Sequence, residues 1–329
     1  MKALTTYSKY LFVLITLLSL ASLSYAQQTA EQYIERTNYL LYLPEGYKAD
    51  TITRWPLLIF LHGAGETGSN VEKVKLHGPP RRIADGHQYP FIVISPQSAQ
   101  YGWNSELLIK LLKDFMEKYR VDEDRVYLTG LSMGGYGTWS TAISYPEYFA
   151  AIIPICGGGQ PEGVKRLKNM PVWCFHGAKD NVVPISQSEK MMTPLQAINP
   201  KAKFTVYPEA DHDSWTETYN NQEIYDWLLS HKRFKYEEIN IDRQLLEKYA
   251  GSYLFRNDQT VQISVEGNRL KVRLNERVSY ELKPFSTSEF FIRAEATGEV
   301  FKFVLDENGK VSHLVQETGR NDFTYPRVD

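Results

Sequence analysis

A serine set between glycines, Gly130-Leu131-Ser132-Met133-Gly134, follows directly on the apolar run Arg125-Val126-Tyr127-Leu128-Thr129. A serine hydroxyl is too weak an acid to attack a carbonyl at neutral pH unless a base takes its proton. The G-x-S-x-G spacing is one that can hold such a serine on a sharp strand-to-helix turn. Glycines two residues before and two after it let the turn close without a Cβ clash. Ser132 is therefore a candidate nucleophile. It brings further expectations: an acid, then a histidine later in the chain, and backbone N–H donors to hold an oxyanion.

Each expected part stands at the end of a different apolar run. After residues 56–61 comes His62-Gly63-Ala64-Gly65-Glu66-Thr67-Gly68. A loop with so few side chains lets the N–H of Ala64 or Gly65 join that of Met133 in an oxyanion hole. After residues 171–175 comes His176-Gly177-Ala178-Lys179-Asp180, and Asp180 is placed to accept from an imidazole N–H. After residues 203–207 comes Pro208-Glu209-Ala210-Asp211-His212-Asp213, and His212 is the candidate general base. His62 and His176 precede the acid in the chain and fit backbone positioning better. Asp211 and Asp213 compete for the acid role, but adjacent residues rarely face each other across one ring, which favours Asp180. Taken singly, each segment also reads as an ordinary turn. Their joint occurrence, in the order serine, acid, histidine, is what selects a Ser132-His212-Asp180 triad.

Four loops can meet only if the strands before them lie side by side. From about residue 33 to 235, short, nearly continuous apolar runs alternate with amphipathic segments, the pattern of a mostly parallel sheet with helices on both faces. Strands are predicted at residues 39–43, 56–61, 91–95, 125–129, 150–155, 171–175 and 203–207, and helices at 105–119, 134–144, 186–198 and 221–229. In the first helix, Leu107, Leu108, Leu111, Leu112 and Phe115 form one apolar face. After about residue 238 the period changes to two: Val261, Ile263 and Val265 alternate with polar residues, as do Leu270, Val272 and Leu274. Turns at Glu266-Gly267-Asn268 and Asn308-Gly309 complete the signature of a small antiparallel sheet or barrel. The expected organisation is an export segment over residues 1–26, an α/β catalytic domain over 27–237 and a β accessory domain over 238–329.

Composition narrows the function classes. The 37 Lys and Arg against 39 Asp and Glu leave a net charge of −2, which gives no reason to expect nucleic acid or an anionic membrane as partner. Lys2 and Lys9 precede an apolar run from Leu11 to Leu20, and Ser24-Tyr25-Ala26 offers a cleavage site. The expectation is a secreted or periplasmic protein with Gln27 as its first mature residue and no stable membrane anchor. The two cysteines, Cys156 and Cys174, lie in or beside apolar runs and read as buried thiols, with a bridge between them left open. Neither an H-E-x-x-H nor a paired C-x-x-C is present, so no metal site and no cofactor are expected.

The segments Leu43-Pro44-Glu45-Gly46-Tyr47, Phe60-Leu61-His62-Gly63-Ala64-Gly65-Glu66, Gly130-Leu131-Ser132-Met133-Gly134-Gly135, His176-Gly177-Ala178-Lys179-Asp180-Asn181-Val182-Val183-Pro184 and Asp211-His212-Asp213-Ser214-Trp215 together resemble exported α/β-hydrolases. The resemblance is to the esterase and predicted-peptidase group that includes feruloyl-esterase-like enzymes and dienelactone-hydrolase relatives. It covers about residues 35–235. It implies an α/β-hydrolase fold, with Ser132 as nucleophile, Asp180 as acid, His212 as base, and Met133 with Ala64-Gly65 at the oxyanion hole. It also places Ser95-Pro96-Gln97 and Tyr101-Gly102-Trp103-Asn104 close to the site, so that Gln97 and Trp103 would touch substrate; Trp103 reads equally well as packing before the helix that follows. The implied activity is that of a serine carboxylesterase acting on a small-molecule or polysaccharide-linked ester, such as acyl or feruloyl decorations of plant polysaccharide. The alternatives are a serine peptidase of related fold and a carbohydrate-binding protein with an inactive hydrolase domain. The segment after residue 238 is similar to small β-barrel-like domains appended to bacterial serine hydrolases, notably at Tyr249-Ala250-Gly251-Ser252-Tyr253.

Overall fold

A computed structural model describes residues 37–255, 259–275, 277–293, 300–318 and 322–329. The expected export segment, with Lys2, Lys9 and Gln27, lies outside the described residues. Among them, no helix is long and apolar enough to cross a membrane.

The strands described fall into two sheets. The first comprises β1 (Tyr39–Tyr42), β2 (Trp55–Leu61), β3 (Ile92–Pro96), β4 (Val121–Leu131), β5 (Ala151–Ile155), β6 (Trp173–Gly177) and β7 (Lys203–Tyr207), in the spatial order β1-β3-β2-β4-β5-β6-β7. The β1 strand pairs antiparallel with β3, and the other pairings are parallel. The apolar runs are continuous because both faces are covered. In β2, Leu57, Ile59 and Leu61 enter one core while Leu58 and Phe60 enter the other.

Over the first face pack α2 (Ser105–Lys118), α3 (Met133–Ser144) and α4 (Ser186–Ile198). Asn104 caps α2 by accepting from Leu107 N at 3.1 Å, and Leu108, Ile109, Leu112 and Phe115 supply its buried face. Burying each such side chain contributes about 1.5–3 kcal/mol relative to leaving it in water. The second face is covered by α1 (Gly78–Ala84), α5 (Trp215–Asn220) and α6 (Gln222–Leu229), through Ile83, Tyr219, Ile224, Tyr225 and Leu228. Two of these helices were not expected. Gly78-Pro79-Pro80 reads as a breaker, yet proline is tolerated in a first turn, where its missing N–H would have no intrahelical acceptor. The six-residue α5 is too short to show a period.

The second sheet is an antiparallel meander of β8 (Gly251–Leu254), β9 (Thr260–Glu266), β10 (Arg269–Arg273), β11 (Ser279–Pro284), β12 (Glu289–Phe291), β13 (Val300–Leu305), β14 (Val311–Glu317) and β15 (Asp322–Pro326), each strand beside its sequence neighbours. The meander curls round until β8 meets the residues just after β15. Tyr253 bridges Arg327, and Val328 N donates to Ser252 O at 3.0 Å, giving a nearly closed barrel. Gly267 and Gly309, at φ 62° and 74°, make the two turns expected from sequence. An additional helix, α7 (Arg243–Tyr249), sends Leu246 and Tyr249 into the barrel core, where Tyr249 stacks on Phe303 at 4.3 Å. The barrel touches the first sheet's helical layer. Lys168 Nζ lies 2.5 Å from Glu317 Oε2, and Asn169 Nδ2 donates to Tyr236 OH at 3.2 Å. Tyr236 in turn stacks on Phe291 at 5.5 Å.

Candidate active site

Parallel pairing of β4 with β2 and β5 brings the loops after these strands to one edge of the sheet, the carboxyl edge where open α/β sheets gather ligand groups. Ser132 sits between β4 and α3 with φ 52° and ψ −118°, a left-handed conformation that non-glycine residues rarely adopt. Its strain is held by close packing. A Cβ on Gly134 would lie 2.0 Å from Leu61 O, and one on Gly130 would lie 2.4 Å from Gly134 O. The two glycines of the motif are therefore where β2, β4 and α3 converge, and the serine between them is pushed outward.

His212, on the loop after β7, reaches Ser132 Oγ with Nε2 at 3.0 Å. Its Nδ1 lies 2.7 Å from Asp180 Oδ2. A carboxylate only accepts, so the ring proton stands on Nδ1 and the Nε2 lone pair faces the serine hydroxyl. Asp180 is buried, and its other oxygen accepts from Val182 N at 2.9 Å and Val183 N at 2.8 Å. Burial alone would raise this carboxyl, but the hydrogen bonds from His212, Val183 and Val182 outweigh it and hold the group below its usual range. The neighbouring carboxylates turn elsewhere. Asp211 accepts from Asp213 N, and Asp213 caps the start of α5 through Thr216 N and Oγ1.

Of the remaining expected residues, Met133 is the first residue of α3, so its N–H has no intrahelical acceptor. Ala64 and Gly65 open a 3-10 turn, Ala64–Glu66, and are exposed. That turn leaves β2 beside the serine, since Leu61 pairs with Gly130 and a Cβ on Gly63 would lie 2.8 Å from the Leu131 side chain. Gln97, expected to touch substrate, is held inside the fold. It is buried, and its Nε2 donates to Glu66 O at 2.7 Å and Asn70 O at 2.9 Å, lashing the glycine loop from beneath. The packing reading of Trp103 is the one the contacts favour: its ring lies against Gly137 of α3, and its Nε1 donates to His62 O at 3.2 Å. His62 itself is buried, which lowers its basicity. It lies with Nδ1 2.6 Å from Gly63 O and accepts from Ser98 N through Nε2.

Sequence reasoning did not foresee Cys156 at the site. It follows β5 with φ 40°, and its Sγ accepts from Ser132 N at 3.3 Å beside the Ile155 O bond of the same N–H. Both cysteines are buried and unbridged. Cys156, Asp180 and His212 place ligand-type atoms within 4.8 Å of one another. The set suits hydrogen bonding better than metal binding, because burial pushes the Cys156 thiol far above its usual range and the carboxylate and imidazole are committed to each other. Trp215, edge-on to His212 at 5.2 Å, shields the ring on one side. No sequence signal marks Cys156, which looks like any core cysteine at the end of an apolar strand.

Comparison with known proteins agrees with this architecture. Residues 103–236 match the dienelactone hydrolase family, and residues 235–325 match a domain of unknown function, DUF3471. Poly(3-hydroxyalkanoate) depolymerase C of Paucimonas lemoignei is 30% identical over 129 residues, covering 36% of this chain and 30% of that protein. A bifunctional acetylxylan esterase/xylanase of Neocallimastix patriciarum is 26% identical over 186 residues, covering 52% of this chain and 26% of that protein. The match thus spans less than a third of either relative's own length. Among solved structures, a thermostable esterase is 34% identical with a TM-score of 0.52, covering 59% of each chain. The sheet order, the serine elbow and these matches together give a domain of α/β-hydrolase fold, similar over residues 103–236 to the dienelactone hydrolase family, followed by an antiparallel, nearly closed β-barrel.

Proposed function

We propose that this chain is a serine hydrolase that cleaves carboxylic esters through an acyl-enzyme. The observation that carries the reading is the unbroken hydrogen-bond chain from Ser132 Oγ through His212 to Asp180, with the serine on a strained elbow. In the first half-reaction Ser132 Oγ attacks the ester carbonyl while His212 Nε2 takes its proton. Asp180 stabilises the imidazolium that results. The oxyanion is held by the N–H of Met133 and that of Ala64 or Gly65. His212 then returns the proton to the departing alcohol, leaving Ser132 acylated, and water repeats the sequence to release the acid.

Relatives named as a poly(3-hydroxyalkanoate) depolymerase and a bifunctional acetylxylan esterase/xylanase support an ester attached to, or forming part of, a polymer, including acyl groups on plant polysaccharide. We place the protein outside the cytoplasm, on the strength of the export-like residues 1–26. The test is turnover of a panel of short-chain aryl esters, feruloyl esters, acetylated xylan and aminoacyl amides by wild type and Ser132→Ala. Ester turnover that disappears in the variant is expected. Unchanged turnover would overturn the nucleophile assignment, and amides cleaved in preference to esters would make the protein a peptidase.

A further inference from the structure

Asp180 has a second histidine. His176 is fully buried at the end of β6, and its Nε2 lies 2.8 Å from Val183 O and 3.3 Å from Asp180 Oδ2, the same oxygen that binds His212. Both neighbours of that nitrogen are acceptors, so the ring carries its proton on Nε2. On the other side Nδ1 lies 2.7 Å from Ser188 Oγ, at the start of α4 and also fully buried. Ser188 Oγ is 2.8 Å from Gly157 O, so its single hydrogen stands between two acceptors. Gly157 adjoins Cys156, whose thiol receives the Ser132 N–H. A buried ladder therefore runs behind the triad: Asp180, His176, Ser188, Gly157, Cys156, Ser132.

Resting on the triad reading above, we propose that His176, seconded by Ser188, is a positioning residue for the catalytic acid. It shares its Nε2–H with Asp180 Oδ2, holds the carboxylate plane for His212, and braces the acid loop against the loop beside the nucleophile. The donor also competes with His212 for the charge on that oxygen. Groups facing His176 are Asp180 and His212 from the loops after β6 and β7, Ser188 from α4, and Cys174, whose thiol donates to Ser188 Oγ at 3.4 Å. Burial lowers the basicity of His176 in spite of Val183 and Asp180, in keeping with a neutral ring that donates once and accepts once.

The experiment uses the full chain and a short-chain aryl ester, with His176→Phe, His176→Gln and Ser188→Ala. The phenyl ring keeps a planar side chain and removes both hydrogen bonds. It should lower kcat about 10- to 100-fold, the rate equivalent of one hydrogen bond to a charged group, with KM changed by less than about twofold. With His176 gone from Oδ2, Asp180 holds the His212 imidazolium more strongly, so the acid limb of the kcat/KM profile moves to higher pH. His176→Gln keeps an N–H for Asp180 and should bring the limb back toward wild type. Ser188→Ala should move it in the same direction as phenylalanine, by less. If His176→Phe does not fold, the other two variants decide. Profiles that superimpose on wild type in every folded variant would reduce His176 to packing. Ser132→Ala run alongside separates the two readings: persistent turnover there sinks the triad, while a dead serine variant with a wild-type-like His176→Phe sinks only the role of His176.

Discussion

Replacing Asp180 with Asn tests the geometry of the site most sharply. The side chain stays the same size, and one of its oxygens accepts two backbone hydrogen bonds, from Val182 N and Val183 N. An amide has a single oxygen, and the two N–H donors hold it. The NH2 is then turned toward His212 Nδ1, 2.7 Å from the atom it replaces. Since an NH2 only donates, the imidazole must present a lone pair at Nδ1 and carry its proton on Nε2, where it faces Ser132 Oγ. The base then has no lone pair for the serine. A wrong tautomer of this kind lowers kcat about 10⁴-fold, which is roughly 5 kcal/mol in the barrier of the chemical step. The assay is steady-state hydrolysis of an aryl ester across pH, with thermal unfolding to confirm that the variant is native. Turnover within about tenfold of wild type would refute the tautomer argument. A comparable loss in Asp211→Asn or Asp213→Asn would show that the acid lies elsewhere.

Two further outcomes are expected. Asp50 is held at a pKa of about 2 by the Thr53 side chain and by the Thr53 and Ile52 N–H groups. A depressed folded-state pKa means that its stabilisation is present above the unfolded value near 4 and is lost as pH falls toward 2. Asp50→Asn should therefore lower Tm at pH 7 and leave it unchanged near pH 2; an equal loss at both would discard the hydrogen-bonded turn as its cause. Burial raises both thiols, Cys174 to about 12, so an aromatic disulfide reagent should find no reactive cysteine in the native protein and two after denaturation. Fast native labelling would contradict the burial of the thiols, and no thiol after denaturation without reductant would contradict the unbridged pair.

What was legible in the sequence was what is local. Ser132, Asp180 and His212 each follow an apolar run that is a strand on its own evidence, and parallel pairing then carries the run ends to one edge. The roles of Gln97 and His176 were not legible, because both bind main-chain carbonyls, which every residue possesses and no motif marks. Cys156 was hidden for a related reason. Its contact to Ser132 N depends on a left-handed backbone at φ 40°, which a cysteine gives no sign of adopting. In the barrel, alternation exposed the hairpin of β9 and β10, but the pairing of Tyr253 with Arg327 spans the whole meander and leaves no local trace.

That long-range seam also separates two kinds of folding problem within one chain. The barrel strands pair with sequence neighbours, so most of their loop-closure entropy is small and the meander can zip up hairpin by hairpin. The first sheet is ordered by crossovers: β2 must bring β3 and β4 to either side, and β1 must return beside β3. The meander is expected to form first, with its seam open until residues 327 and 328 reach β8. Until then β8 is paired only with β9, and its other edge is the kind of free strand edge that pairs with a second chain.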